Sequence, residues 1–325
     1  MSTNQPSSLN SPRKVPIGPQ AAIFLGVLAI STGSLFARLA QQEAPSLVVS
    51  TYRMVLATLF FLPWAVTKYR KIILGFTKKQ VLLILISGIF LALHFASWIT
   101  SLEYTTVASS VVLVTTVPLW VAIISAVFLK EKPGSLLLIG LVIALIGGAI
   151  VGLGMSCTII DGSINCSGFS EFFYGKYFYG NILALVGAWA ASGYMVIGRK
   201  VRATVAVVPY AFTVYGFSAI ILLITSIFLG LNFTGYSNET YLWLVALAFF
   251  PQVIGHSTYN WALGYLPVTY VAVVLLGEPI GASLLALIFL GEIPSFFEVF
   301  GGVLILIGIF LASWTQTIKD GSAGK

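Results

Sequence analysis

Residues 102–147 read LEYTTVASSVVLVTTVPLWVAIISAVFLKEKPGSLLLIGLVIALIG, and residues 263–308 read LGYLPVTYVAVVLLGEPIGASLLALIFLGEIPSFFEVFGGVLILIG. One offset of 161 positions aligns the two without a gap. Leu102 falls on Leu263, Tyr104 on Tyr265, Val107 on Val268 and Pro118 on Pro279. The same offset carries Phe128, Leu129, Glu131 and Pro133 onto Phe289, Leu290, Glu292 and Pro294, and Gly140 and Gly147 onto Gly301 and Gly308. Leu or Val coincidences mean little in apolar sequence. Prolines, glutamates and glycines held at one offset mark an internal duplication, which must be read before anything else.

The chain is 58% hydrophobic and 8% charged, with a mean hydropathy of +0.99. A soluble domain carries about 25% charged residues, and so few charges cannot cover a water-exposed surface of this size. The solvent is therefore the bilayer. Two cysteines in 325 residues make neither a disulfide scaffold nor a zinc site.

Apolar runs of roughly 20 residues, the length that spans a bilayer, follow one another along the chain. They lie at 20–39, 46–66, 81–101, 105–128, 136–155, 181–199, 207–230, 241–263, 267–290 and 296–316. The first run is too long for a cleaved signal peptide and has no evident cleavage site, so it reads as a retained helix. The expected fold is an all-α integral membrane protein of ten transmembrane helices in two inverted five-helix repeats. Its parts are a disordered cytoplasmic tail (1–19), a first repeat (20–155), an extracytoplasmic loop (156–180), a second repeat (181–316) and a cytoplasmic tail (317–325).

With both termini cytoplasmic, the inside segments hold Arg13, Lys14, Lys68, Arg70, Lys71, Lys78, Lys79, Lys130, Lys132, Arg199, Lys200, Arg202, Lys319 and Lys325, 14 of the 17 basic residues. The outside segments hold only Arg38 and Lys176, with Arg53 inside a span. This is the positive-inside bias. The net charge of +7 is thus a topology signal rather than a nucleic-acid surface, and the expected location is the cell membrane. Five spans is an odd number, so the two copies lie in opposite senses. Inverted repeats with a substrate site at mid-membrane between them are a transporter architecture.

The run Leu102-Glu-Tyr-Thr-Thr through Pro118 to Phe128-Leu-Lys-Glu131-Lys-Pro133, and its echo Leu263-Gly-Tyr-Leu-Pro through Glu278-Pro279 to Phe289-Leu-Gly-Glu292-Ile-Pro294, resemble the EamA family of the drug/metabolite transporter superfamily. Tyr52-Arg53 in the second span fits the same pattern. The resemblance covers about residues 21–315. It implies carriage of amino acids, other small metabolites or, in relatives, sugar phosphates and nucleotide sugars, with many bacterial members acting as exporters. It names the family well and the substrate poorly.

Within the spans, ionisable groups are costly and mark function by default. Glu278, near the middle of the ninth span, either binds a substrate ammonium, carries a proton, or pairs with a buried cation. Pro279 behind it and its counterpart Pro118 remove backbone hydrogen bonds where a site needs an open helix. The residue before Pro118 is Val117, so the charge is asymmetric where the proline is symmetric. Arg53 lies roughly 12 Å into the second span at 1.5 Å per residue. It either snorkels or neutralises Glu278 or a substrate carboxylate. Arg38 at the end of the first span is placed to reach the headgroups.

His94 and Trp98 share a face of the third span, and His256 and Asn260 a face of the eighth, four residues apart in each case. Tyr259 echoes Trp98 under the offset. Both faces read as cavity wall, His94–Trp98 nearer the outside and His256–Asn260 nearer the inside. A histidine admits proton coupling. The alternative is a histidine bonded to its neighbour, and two distant histidines do not suggest a metal. Trp189, Tyr194, Tyr215 and Trp120 add aromatic lining or core packing. Cys157 and Cys166 sit on the oxidising side, where a disulfide forms. Glu131 and Glu292 precede prolines at matching turns and read as helix-capping residues.

Phosphate-bearing substrates want cationic clamps, and Arg53 alone is available within the spans. One acid, one base and several aromatics suit a zwitterion such as an amino acid. The expectation is a secondary transporter working by alternating access, an exporter of amino acids or related metabolites. The alternatives are a carrier of nucleobases, organic cations or drugs, or sugar derivatives, and a structural membrane protein without transport. No enzyme chemistry, metal or cofactor is expected. The partners are a small-molecule substrate, the lipid bilayer and protons as coupling ion, without nucleic acid, in a monomer or homodimer.

Overall fold

The computed structural model of the chain describes residues 19–129, 135–153, 157–160, 163–166, 175–266, 268, 271 and 274–322. The expected tail at 1–18, the turn holding Glu131 and Pro133, and much of the loop between the repeats lie outside the described residues. The first half contains α1 (Pro19–Ser31), α2 (Gly33–Ala40), α3 (Ser46–Thr67), α4 (Arg70–Leu74), α5 (Lys78–Tyr104), α6 (Val107–Val114), α7 (Val117–Leu129) and α8 (Ser135–Leu153). Between the halves lies a hairpin, β1 (Cys157–Ile160) and β2 (Ser163–Cys166). The second half contains α9 (Lys176–Arg202), α10 (Val207–Phe228), α11 (Asn238–Leu247), a π-helical segment (Ala248–His256), α12 (Ser257–Ala262), α13 (Gly277–Leu290) and α14 (Phe296–Ser322).

Among the described residues five apolar helices are long enough to cross a membrane unaided: Ala22–Ala40, Ser46–Thr67, Lys78–Tyr104, Lys176–Arg202 and Val207–Phe228. Several of the other expected spans come in pieces. Large apolar side chains such as Phe24, Leu145, Ile224, Phe228 and Ile288 point outward, while Arg53, Ser50, Ser109, Gln252 and Asn260 are buried. That inversion is what hydrocarbon solvent selects, because a polar group facing lipid has no partner.

The broken spans are broken at the same place in each repeat. Helix α6 ends at Val114, Thr115 and Thr116 form a turn, and α7 restarts at Val117. In the second repeat Leu275 and Leu276 form the turn and α13 restarts at Gly277. The offset of 161 carries Thr115 onto Leu276 and Pro118 onto Pro279. Each proline therefore sits in the first turn of a half-helix, where its missing N–H costs nothing. In the first repeat threonine hydroxyls add to the backbone bonds of the turn. Thr115 Oγ1 donates to the carbonyl of Val111 at 2.9 Å, and Thr116 Oγ1 to that of Leu113 at 2.7 Å.

The duplication is realised as reciprocal contacts. A Cβ on Gly147 would lie 2.7 Å from the carbonyl oxygen of Gly301, and one on Gly308 would lie 2.5 Å from that of Gly140. Gly301 and Gly308 are the offset mates of Gly140 and Gly147, so each glycine meets the mate of the other. Helices α8 and α14 thus cross antiparallel, backbone on backbone. The same reciprocity joins Gly26 to Thr258 and Gly187 to Ser97, with added Cβ atoms at 3.1 and 3.3 Å. Gly187 is the mate of Gly26, and Thr258 that of Ser97.

A matched pair of variants checks the crossing. Gly301→Ala places its methyl 2.6 Å from the Gly147 oxygen, whereas Gly302→Ala finds nothing nearer than 3.4 Å. Alanine favours a helix over glycine by about 1 kcal/mol, so Gly302→Ala is expected to keep or raise the unfolding temperature. Gly301→Ala is expected to lower stability by about 1–3 kcal/mol through overpacking. Thermal unfolding in one detergent reads both.

Two sequence expectations shift here. The loop between the repeats is not wholly irregular, since it holds the hairpin, in which Cys157 stands directly opposite Cys166. The side chains of that hairpin lie outside the described residues, and with them the expected disulfide. The last helix runs on to Ser322, past the boundary at 316 set by apolar length alone.

Candidate functional site

A cavity lies in the interior between the two repeats. The first repeat lines it with Ile30, Arg53, His94, Trp98, Val114, Thr115 and Val117, and the second with Ala191, Tyr194, Met195, His256, Tyr259, Leu275 and Glu278. Its space for the centre of a water molecule is about 50 Å³. One water needs at least ~10–15 Å³ by this measure, so the site as it stands holds a few waters and must widen to take a metabolite.

Helix α3 carries Arg53 inward, 1% exposed. Its Nε donates to Gln252 Oε1 at 2.8 Å, and its guanidinium carbon lies 4.0 Å from the Phe95 ring centre and 5.6 Å from that of Trp98. Snorkelling is thereby excluded: the side chain is held flat against two aromatic faces, a geometry that suits guanidinium. Gln252 belongs to the π-helical segment that contains Pro251. Proline removes an N–H from the helical ladder, and π-bulges recur at functional sites. Helix α5 contributes His94 and Trp98, whose rings stack with centroids 6.1 Å apart.

The two histidines are not far apart, as their positions in the sequence suggested. The His94 and His256 ring centres are 6.3 Å from one another. The third and eighth spans meet at the cavity because each faces the opposite repeat. His94 Nδ1 lies 2.9 Å from the Gly187 carbonyl oxygen, an acceptor, so that nitrogen is the protonated one. His256 Nδ1 has no hydrogen-bond partner among the described residues. Glu278, in the first turn of α13, is partly buried and borders the cavity. Among the described residues the one ion pair within 4.0 Å is Arg38–Glu292. Arg53 and Glu278 thus face the same cavity without closing on one another.

Three expected wall residues stand elsewhere. Trp189 is 43% exposed and packs edge-on against Phe90 at 5.4 Å, on the lipid side of α9. Asn260 and Tyr215 are buried behind the wall. Asn260 Oδ1 accepts from Tyr194 Oη at 2.6 Å, and its Nδ2 donates to Tyr215 Oη at 3.0 Å. They brace Tyr194, which does reach the cavity. Trp120 donates to Thr116 Oγ1 at 3.2 Å beside the break between α6 and α7. Sequence reading missed Gln252, Phe95, Thr115 and Met195. Gln252 carried a legible signal, a polar residue next to a proline in mid-span. Phe95, Thr115 and Met195 carried none.

At the end of the bundle formed by Ala40, Tyr104 and Val107, a second set of contacts ties the repeats together. Arg38 does not reach for headgroups. Its Nη2 donates to Glu292 Oε1 at 2.6 Å, and its Nη1 to the Leu102 carbonyl at 2.6 Å. Glu292 Oε2 accepts from the Val107 backbone N–H at 2.8 Å, satisfying an orphan donor at the start of α6. One Arg–Glu pair thereby joins the ends of α2, α5, α6 and α13. At the same end Glu43 Oε2 accepts from the Ser237 N–H at 2.7 Å and the Thr240 hydroxyl at 2.9 Å. The Ser237 N–H, then the Thr240 hydroxyl, hold this carboxyl below its ordinary pKa. Loops expected on one face of the membrane do gather at one end.

The comparisons with known proteins agree with this geometry. Residues 20–153 and 178–314 match the EamA-like transporter family, which sits in the drug/metabolite transporter superfamily. An uncharacterized transporter from Archaeoglobus fulgidus is 24% identical over 294 residues, covering 87% of this chain and 92% of that protein. The uncharacterized transporter YdfC of Bacillus subtilis is 25% identical over 223 residues, 68% of this chain and 67% of its own length. A solved crystal structure superposes with a TM-score of 0.64 at 19% identity, over 91% of this chain and 97% of the other; at that identity the likeness is one of fold. Two matched halves, a bundle that wears its apolar side chains outward and a cavity between the repeats bordered by Arg53 and Glu278 lead to one conclusion: the chain belongs to the EamA-like transporter family and is a multi-pass membrane transporter.

Proposed function

We propose that the protein exports amino acids or related small metabolites across the cell membrane by alternating access, with both termini cytoplasmic and protons as the coupling ion. The observation that supports this reading is the cavity itself. Both repeats line it, at the position where inverted-repeat carriers hold their substrate. It brings Arg53, Glu278, His94 and His256 together. A purely structural membrane protein has no use for a buried arginine and a glutamate left apart in its interior.

In this mechanism the Arg38–Glu292 pair is the latch of the outer mouth. It ties the second repeat to three helix ends of the first, directly above the cavity. Breaking it frees the ends of α2, α5 and α6 from α13. The breaks at Thr115–Thr116 and Leu275–Leu276 give each half-helix freedom to tilt. The offset carries Arg38 onto Arg199 and Glu292 onto Glu131, so both residue types recur in the other repeat; Glu131 lies outside the described residues.

The test is flux. Proteoliposomes loaded with amino acids, nucleobases, organic cations or phosphorylated sugars are followed with and without a pH gradient. Amino-acid efflux driven by the gradient supports the proposal. Movement of another class alone replaces the substrate and keeps the transporter.

A further inference from the structure

Arg53 Nη1, Trp98 Nε1 and Tyr259 Oη are buried and have no hydrogen-bond partner among the described residues. Arg53 is 1% exposed, Trp98 3% and Tyr259 5%, and all three border the central cavity. Buried polar atoms are nearly always paired, and each exception asks for an explanation. These three share one. All can donate a hydrogen bond, and one belongs to a full positive charge. Waters can take up the neutral donors. They do not neutralise a guanidinium, which in a low-dielectric interior demands an anion.

Gln252 and the two aromatic rings fix the arginine rather than discharge it. Gln252 accepts from Nε at 2.8 Å, which leaves Nη1 without a hydrogen-bond partner among the described residues. Glu278 is the carboxylate that borders the same cavity, yet no acid among the described residues lies within 4.0 Å of Arg53. One positive and one negative group are therefore held apart across a shared space. The same cavity is lined by the apolar side chains of Val114, Val117, Met195 and Leu275.

We infer that the cavity is a seat for an apolar amino-acid zwitterion whose carboxylate is taken by Arg53, Trp98 and Tyr259 and whose ammonium is taken by Glu278. A carboxylate offers two acceptor oxygens in the plane that a guanidinium reads. An ammonium supplies the counter-charge of Glu278, and the side group fills the apolar wall. The same arrangement rejects its competitors. A simple organic cation leaves Arg53 unpaired. A phosphate dianion finds one guanidinium and a repelling Glu278. This inference rests on the transporter reading above and narrows it to molecules that carry both ends.

The experiment uses the full-length protein and four compounds of one shape: L-leucine, leucinamide, 3-methylbutylamine and 4-methylpentanoate. A ligand that binds only the folded state raises its unfolding temperature. Leucine is expected to do so. Leucinamide and 3-methylbutylamine lack the carboxylate and 4-methylpentanoate lacks the ammonium, so each is expected to bind roughly tenfold or more weakly, as loss of a charged hydrogen bond implies. Trp98→Phe keeps the ring and removes one donor. It is expected to weaken leucine severalfold, read against the variant's own unliganded melting temperature, without weakening 3-methylbutylamine. Arg53→Gln is expected to abolish the preference for leucine over that amine. Because it removes an unpaired buried charge, it should fold; if it does not, Trp98→Phe carries the test.

Leucinamide binding as tightly as leucine overturns the carboxylate seat, and so does silence from leucine. Flux then separates the two readings. A solute without a carboxylate that crosses the membrane ends the seat and keeps the transporter. Leucine that binds but never crosses ends the amino-acid export proposed above and keeps the seat.

Discussion

Glu278→Gln yields a folded protein whose substrate flux no longer responds to pH. The substitution keeps the shape of the side chain and the hydrogen bonds of the backbone, so the half-helix that begins at Gly277 should form as before. What is lost is the charge facing the cavity. Arg53, His94, His256 and Tyr259 border the same space. Arg53 stays charged in any range where transport is assayed, because a guanidinium does not release its proton there. If the carboxylate is the group that gains and loses a proton during the cycle, removing it flattens the dependence of flux on pH. It should also cut gradient-driven transport by at least about tenfold, the scale of one lost charged hydrogen bond. Proteoliposome flux between pH 6 and pH 8 reads both effects, with thermal unfolding as the control for folding. An unchanged pH profile removes Glu278 from coupling and moves attention to His94 and His256.

The second large effect is expected at the Arg38–Glu292 end of the bundle, which the proposed topology places outside. Hydrogen bonds to charged groups are worth about 1.5–3 kcal/mol each. Arg38 makes such contacts to both Glu292 and Leu102. Losing them should raise the population of the outer-open state at least about tenfold, since 1.4 kcal/mol is a factor of ten. Ser31 reports the change. It is 3% exposed, and its hydroxyl lies 3.5 Å from the Glu278 carbonyl. In a background with Cys157 and Cys166 replaced by serine, Ser31→Cys should react slowly with an impermeant maleimide added outside. Arg38→Gln should speed that reaction about tenfold and slow transport, because the protein rests too long with one mouth open. Glu292→Gln separates charge from capping. It can still accept from the Val107 N–H but cannot attract Arg38, so it should follow Arg38→Gln. Unchanged labelling in both variants would show that the mouth is held by packing instead.

Much of this was open to sequence reading, and the reason is the solvent. A bilayer penalises every charge and every unpaired backbone group. Glu278 and Arg53, and the breaks marked by Pro118 and Pro279, therefore stood out by type and depth alone. The repeat was legible because glycine and proline have few substitutes where two backbones touch or a helix restarts. Gly140, Gly147, Gly301 and Gly308 turned out to be the contacts of one crossing.

Direction around each helix axis was not legible. In water an amphipathic stripe shows which face is buried. In lipid the outer face is apolar as well, so depth is readable and azimuth is not. Trp189 and Tyr194 lie five residues apart on one helix, yet the first faces outward against Phe90 and the second faces the cavity. The sequence by itself determined the solvent, the duplication, the opposed sense of its copies and the depth of each polar residue. Only the tertiary structure decided which of those residues meet. Arg38 finds Glu292 across 254 residues, and His94 finds His256 across the repeat interface, because antiparallel repeats join positions that no local spacing connects.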